Sequence, residues 1–346
     1  MHTNVPRRMG LAVSIRRHCR GKVSRAVAES AVEGEQAMKR TLVLGVLVGI
    51  GVLSIAVAGQ APPGPSAKSI EATKIQKVKN NLYVVTGSGV EDTDAFSGGN
   101  VAVFVTDAGV TLVDSKLPGF GPTLVERVKS VTSKPITRII NTHTHGDHTG
   151  SNTFFGASVE SVVHENAKAS MAAMDDFKGA NAKLLPGRTY KDKLTIGSGK
   201  DQIDIYYFGR GHTNGDSFVV FTALRTMHVG DMFAWKALPY VDADNGGSVV
   251  EQPKTLARAA ATVKNVDTII NGHIPVGTWK DLQEYAGFTA DFVAYAEQSL
   301  QAGKSVEQAA KEYKVDPKYK GYVVSANPMF GGAQANLEIA YKELKK

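Results

Sequence analysis

The chain has 346 residues, 42% of them hydrophobic and 21% charged. That balance supplies one large domain or two modest ones and excludes disordered, collagen-like, coiled-coil and polytopic membrane proteins. A single cysteine, Cys19, excludes a disulfide framework and a thiolate metal cluster. The net charge of +7 is concentrated at the start, where residues 1–58 carry 9 Lys+Arg against 3 Asp+Glu. Residues 59–346 carry 31 against 30, so the body is nearly neutral and lacks the excess of cations that a nucleic-acid groove needs.

Met38, Lys39 and Arg40 precede an uncharged apolar run over 41–58 that ends in Ala56-Val57-Ala58. A positive region, an apolar region and a small-x-small motif predict a signal peptide over 38–58, cleaved after Ala58. Residues 1–37 then read as an over-extended gene start, and the expected location is the bacterial periplasm or the exterior. The competing reading is an uncleaved anchor, since 18 apolar residues just span a bilayer. Arg7-Arg8 and Arg16-Arg17 do not run directly into an apolar stretch, which argues against a twin-arginine signal. No other membrane contact and no nucleic-acid partner is expected.

Residues 59–69 read as a Pro/Ala/Ser linker, and a strand-like pattern starts at Ile70. An Asn-Asn turn divides 76–86 into two strands. The runs 100–105 and 109–113 form a hairpin signal, 122–131 has helical spacing, and 136–141 is a short apolar strand. The order then repeats. Strands are expected at 193–196, 204–208, 217–222 and 226–229, a helix at 249–263 and a strand at 267–270. Two halves of this kind predict sheets packed face to face with helices outside. Further helices are expected at 279–302, 306–313 and 334–345, with the main domain over 70–290 and a helical extension over 291–346 packed on it.

Histidine placement carries the chemistry. Three of the seven body histidines fall within six residues, His143-Thr144-His145-Gly146-Asp147-His148. If the chain leaves its strand extended, His143, His145 and Asp147 point one way, and Gly146 permits a turn that brings in His148. Imidazoles with a carboxylate suit zinc. Asp147 as a helix cap beside surface histidines is the plainer alternative, but such density after a buried-looking strand argues for a metal. His212, Asp231 and His273 each follow a predicted strand, and Asp231 has an oxygen to offer each of two ions. His164 and His228 read as structural.

The His143, His145, Asp147, His148 signature, with the three later donors, resembles the metallo-β-lactamase-fold superfamily over roughly residues 70–290. The resemblance implies a four-layered αββα sandwich, of class α/β, with metals where the halves meet. It implies two zinc ions per chain, iron or manganese being other candidates. His143, His145 and His212 would hold one; Asp147, His148 and His273 would hold the other, with Asp231 bridging. The implied reaction is attack on an ester, lactone, amide or thioester carbonyl of a small molecule, with Asp147 orienting the nucleophile. Asp114 matches the position that supports a ligand histidine, and Asp216 is expected to do the same beside His212. Trp235, Lys236 and Tyr240 are candidates to line the cleft, Lys236 meeting a substrate carboxylate.

Asp231 stands where one zinc β-lactamase subclass has a bridging cysteine and another generally lacks an acid. The Gly-Asp there is more similar to glyoxalase II and lactonases, and Gly-His-Thr-Asn-Gly-Asp-Ser resembles an exported branch. β-Lactam hydrolysis is therefore the alternative activity. A mononuclear iron persulfide dioxygenase is the alternative of another class, opposed by the complete second donor set. The Gly- and Asp-rich segment 87–99 has the composition of a lid.

Overall fold

Runs that are apolar at every position belong in strands covered on both faces, whereas helices here need only one apolar stripe. The computed structural model describes residues 64–325 and 330–345; the expected gene start, signal peptide and first linker residues lie outside that range. Its first sheet contains β1 (Lys74–Lys79), β2 (Leu82–Thr86), β3 (Val101–Thr106), β4 (Gly109–Val113), β5 (Ile136–Ile140), β6 (Glu160–His164) and β7 (Arg188–Tyr190), side by side in that order. The pairs are antiparallel as far as β4 and parallel from β4 to β7. The second sheet contains β8 (Lys193–Ile196), β9 (Ile203–Tyr207), β10 (Ser217–Phe221), β11 (Thr226–His228), β12 (Thr268–Ile270) and β13 (Gly277–Thr278). Its strand order is β13-β12-β11-β10-β9-β8, and only β11 and β12 pair in parallel.

The alternation of side chains builds the layers. Along β3, Ala102 and Phe104 enter a core between the sheets with Leu82, Ile140, Ile205, Val219 and Phe221. Val101 and Val103 point outward, onto Leu124 and Val128 of a helix at Gly121–Lys129. The second sheet's outer face packs Phe218, Val220 and Met227 under three more helices. Those helices are Gln252–Thr262, Trp279–Gln301 and Ala333–Leu344. The result is helix, sheet, sheet, helix, as the pattern predicts.

In chain order the helices are α1 (Ala67–Ala72), α2 (Gly121–Lys129), α3 (Gly146–Thr149), α4 (Asn152–Phe155), α5 (Glu165–Met171), α6 (Gln252–Thr262), α7 (Trp279–Gln301), α8 (Val306–Glu312) and α9 (Ala333–Leu344). Two boundaries differ from expectation. The linker ends early, because Ser66 caps α1 by accepting from Ser69 N at 3.0 Å, and Ile70, expected to open a strand, lies within that helix, the first strand starting at Lys74. Helix α7 runs unbroken through position 290, and one buried face carries Leu282, Tyr285, Phe288 and Phe292 into a single core. Among the described residues, no helix is long and apolar enough to cross a membrane.

Candidate metal centre

Parallel pairing of β4 with β5, and of β11 with β12, sends the carboxyl ends of these strands toward one edge of the sandwich. The segments that follow them carry the polar side chains. His143 lies in a bend that follows β5, over 142–144, and His145 returns to extended backbone with φ −63° and ψ 146°. The expected alternation stops there, because Asp147 and His148 sit in the first turn of α3. Gly146 does not need its special freedom: its φ is not positive, and a Cβ there would come no closer than 3.9 Å to Met174. Nor is Asp147 the cap of α3, a position taken by His145 without a side-chain bond.

The histidines are oriented from behind. His145 Nε2 donates to Asp242 Oδ2 at 2.7 Å, and His212 Nδ1 donates to the Tyr240 carbonyl at 2.7 Å. Each ring therefore turns its other nitrogen inward, and His145 Nδ1 and His212 Nε2 face each other at 2.8 Å. Two lone pairs at that distance repel unless a cation lies between them. His143 Nε2 is buried beside them without a hydrogen-bond partner. Burial holds His143 well below the ordinary histidine range, reinforced by His148 and His212, and lowers His212 to about 4. Neutral imidazoles with inward lone pairs are metal-ligating groups.

A second group adjoins the first. His148 Nε2 lies 3.5 Å from Asp147 Oδ2 and 3.3 Å from His273 Nε2. Asp231 stands between the groups: Oδ1 is 3.2 Å from His148 Nε2, while Oδ2 is 3.2 Å from His273 Nε2 and 3.7 Å from His212 Nε2. Burial would lower the His148 pKa, but Asp147, Asp231 and Asp114 together raise it well above the ordinary value. Burial likewise opposes charge on Asp231, and His273 and His148 overcome it, holding the carboxyl well below its usual range. The pocket thus favours positive charge. His143, His145 and His212, then His143, His148 and Asp231, then Asp147, His148 and His273 are each close enough to share one ion. The donor set fits a metal.

Behind it, Asp114 accepts from Thr142 N and Thr142 Oγ1 at 2.7 Å each and from His148 Nδ1 at 2.8 Å. Asp114 has φ +71°, a left-handed conformation that costs a non-glycine residue about 1–3 kcal/mol. Gly272 is required for another reason: a Cβ there would overlap Asp231 Oδ1.

Two expected roles need correcting. Asp216 does not reach the His212 ring; its carboxylate accepts from Thr213 N at 2.9 Å and Thr213 Oγ1 at 2.6 Å, and so closes its own loop. Lys236 turns from the metal pocket because Asp281, 3.3 Å away, and Glu284, 4.0 Å away, draw its ammonium toward α7. Trp235 and Tyr240 do line that pocket, a 350 Å³ cavity shared with Val90, Phe96, Asp147 and His273. His164 caps α5 and stacks on Tyr207, while His228 Nε2 donates to the Asn100 carbonyl at 3.1 Å.

Sequence reading missed Asp242, Phe96, Val90 and Phe330, none of which stands in a motif. It also missed Lys116, fully buried, whose ammonium donates to the carbonyls of Gly98 and Gly99 at 3.2 and 2.8 Å. Those bonds tie down the base of segment 87–99, and Gly99 N donates to the Asp147 carbonyl at 3.0 Å. The residues at 90 and 96 overhang the cleft.

An αββα sandwich with this His/Asp cluster at its edge defines a metal-binding hydrolase. The family model of the metallo-beta-lactamase superfamily matches residues 95–273, and the chain belongs to that superfamily. It is similar to Metallo-beta-lactamase type 2 of Elizabethkingia meningoseptica, 26% identical over 77% of this chain and 98% of the relative. Metallo-beta-lactamase IND-1 of Chryseobacterium indologenes is 24% identical over 57% of this chain and 80% of its own. Among solved structures, a metallo-beta-lactamase from Pontibacter korlensis superposes with a TM-score of 0.54 at 18% identity. That match covers 63% of this chain and 99% of the other, and it establishes the fold.

Proposed function

We propose that the chain hydrolyses an ester, lactone, amide or thioester of a small molecule with two zinc ions. His143, His145 and His212 hold one, and Asp147, His148 and His273 hold the other. The position of Asp231 carries this reading: its Oδ2 lies 3.2 Å from His273 Nε2 and 3.7 Å from His212 Nε2 while its Oδ1 lies 3.2 Å from His148 Nε2, so one carboxylate reaches histidines of both groups, as a bridging ligand would. When bound, the ions supply Lewis acidity and a water whose pKa falls to about 7. Asp147, part-exposed on the cleft, would orient the nucleophile and carry a proton to the leaving group. Asp242, Asp114 and the Tyr240 carbonyl fix the ring orientations, so the donors need no rearrangement. Trp235 and Tyr240 flank the substrate. The apolar run at 41–58 supports export of the mature chain.

Metal analysis combined with a hydrolysis panel tests the proposal. Two equivalents of zinc per chain and chelator-sensitive ester or lactone turnover are expected, with Asp147→Asn slower by about 10²–10⁴-fold. One ion per chain, or turnover indifferent to chelation, would overturn it. β-Lactam hydrolysis is the second reading, favoured by the names of the relatives. A chromogenic cephalosporin in the same panel separates the two.

A further inference from the structure

Beside the metal pocket lies a larger cavity of 600 Å³, and both are lined by Val90, Trp235 and Phe330. Its far wall comes from the C-terminal part of the chain, beyond the superfamily match at 95–273. Val323 N donates to the Lys236 carbonyl at 3.0 Å and Val323 pairs with Ala237 in a short parallel bridge, which fastens that part to the loop after Asp231. The Trp235 indole N–H is committed to the Leu238 carbonyl at 3.1 Å. The ring is thereby held between His273, at 5.8 Å between centroids, and Phe330, at 5.9 Å. An apolar path therefore leads from a metal-site histidine over Trp235 and Phe330 to Val323 and Val324.

Val323 is 58% exposed and Val324 38%, which make them two of the few large exposed apolar side chains among the described residues. Charge is arranged against an anion along this path. Among the described residues, no arginine lines either cavity, and the one lysine there, Lys236, is engaged by Asp281 and lies 5.5 Å over the Tyr322 ring. Glu91 adds a carboxylate to the lining of the larger cavity.

We propose that this cavity is a subsite for the apolar arm of an uncharged ester or lactone, walled by Val90, Trp235, Ala237, Val323, Val324 and Phe330. The proposal rests on the hydrolase reading above and adds the substrate's character: a neutral molecule with an alkyl or aryl arm. Burial of each further methylene should strengthen transition-state binding about fourfold until the cavity is filled.

The test uses the full zinc-loaded chain with p-nitrophenyl acetate, butyrate, hexanoate and octanoate, and with the anionic p-nitrophenyl hemisuccinate. In the wild type, kcat/KM climbs with chain length and the hemisuccinate falls below butyrate. In Val323→Asp and in Val324→Asp, both at exposed positions, the climb flattens. Binding of neutral N-alkylacetamides, read by tryptophan fluorescence and calorimetry, should show the same length dependence and the same flattening. A wild-type slope near zero, a preference for the hemisuccinate, or a slope unchanged in both variants would overturn the subsite. If neither an ester nor a lactone is turned over while the amide series keeps its slope, the ester and lactone reading falls and the subsite stands.

Discussion

Asp114 concentrates three demands in one buried carboxylate. It holds Thr142 by backbone and hydroxyl, it fixes the His148 tautomer, and it does so from a left-handed backbone conformation. Asp114→Asn keeps the size but offers an amide N–H₂ where two of three donors converge on Oδ2, so His148 loses its orienting acceptor. Zinc affinity at the His148 group should fall about 10–100-fold, measured by competition with a chromophoric chelator. Unchanged affinity would mean that Asp114 serves the backbone alone. Two residues on, Lys116 carries a different signature. Burial pushes its pKa down to about 7 from 10.5, against the attraction of Asp147 and Asp114. Between those pH values the unfolded chain binds a proton that the folded chain has released, so this group's contribution to stability rises with pH across the window. Below pH 7 both states are charged and the contribution is flat. The Tm of the wild type relative to Lys116→Met should therefore climb from pH 7 to pH 10. A constant difference would remove the depressed pKa.

At the scale of elements, what could be read from sequence follows from how local each signal is. Strands β3, β4 and β10 are apolar at nearly every position and lie within a residue of their expected ends. Strands β6 and β7 were missed because Glu160 and Arg188, salt-bridged at 3.0 Å, interrupt the apolar pattern at the sheet's edge. The clustering of His143, His145, Asp147 and His148 is legible in the sequence because one strand and one turn deliver them together. His212, Asp231 and His273 were legible as residues that follow strands. Asp242 was not, since it meets His145 across 97 residues of chain and only the packed loops bring them together. The assignments to Asp216 and Lys236 failed for the same reason in reverse. Each has a nearer or more strongly attracting partner, Thr213 for one and the acidic first turns of α7 for the other. Local sequence states which groups a loop carries; it does not state which way the loop turns.

For the whole molecule, the donor set joins two halves. His143, His145, Asp147 and His148 follow β5 of the first sheet, whereas His212, Asp231 and His273 follow strands of the second. Direct ties across the same edge already exist: Ser217 N donates to the Thr142 carbonyl and Asn100 N to the Gly272 carbonyl, at 2.7 Å each. An ion ligated from both halves requires the sheets to be docked, and the unfolded chain cannot reproduce that arrangement. Metal binding is then linked to folding, with a stabilisation that grows as the logarithm of free zinc and reaches about 4 kcal/mol at a thousand times Kd. At roughly 2–4 °C per kcal/mol for a domain of this size class, the Tm should rise by about 8–16 °C between chelated and zinc-buffered protein. His212→Ala, which withdraws a donor from the second sheet alone, should lose much of that rise while keeping the Tm of the chelated form within a few degrees. A Tm independent of free zinc would mean that the halves are held by their cores and backbone ties alone, and that the cluster holds no ion in the folded state.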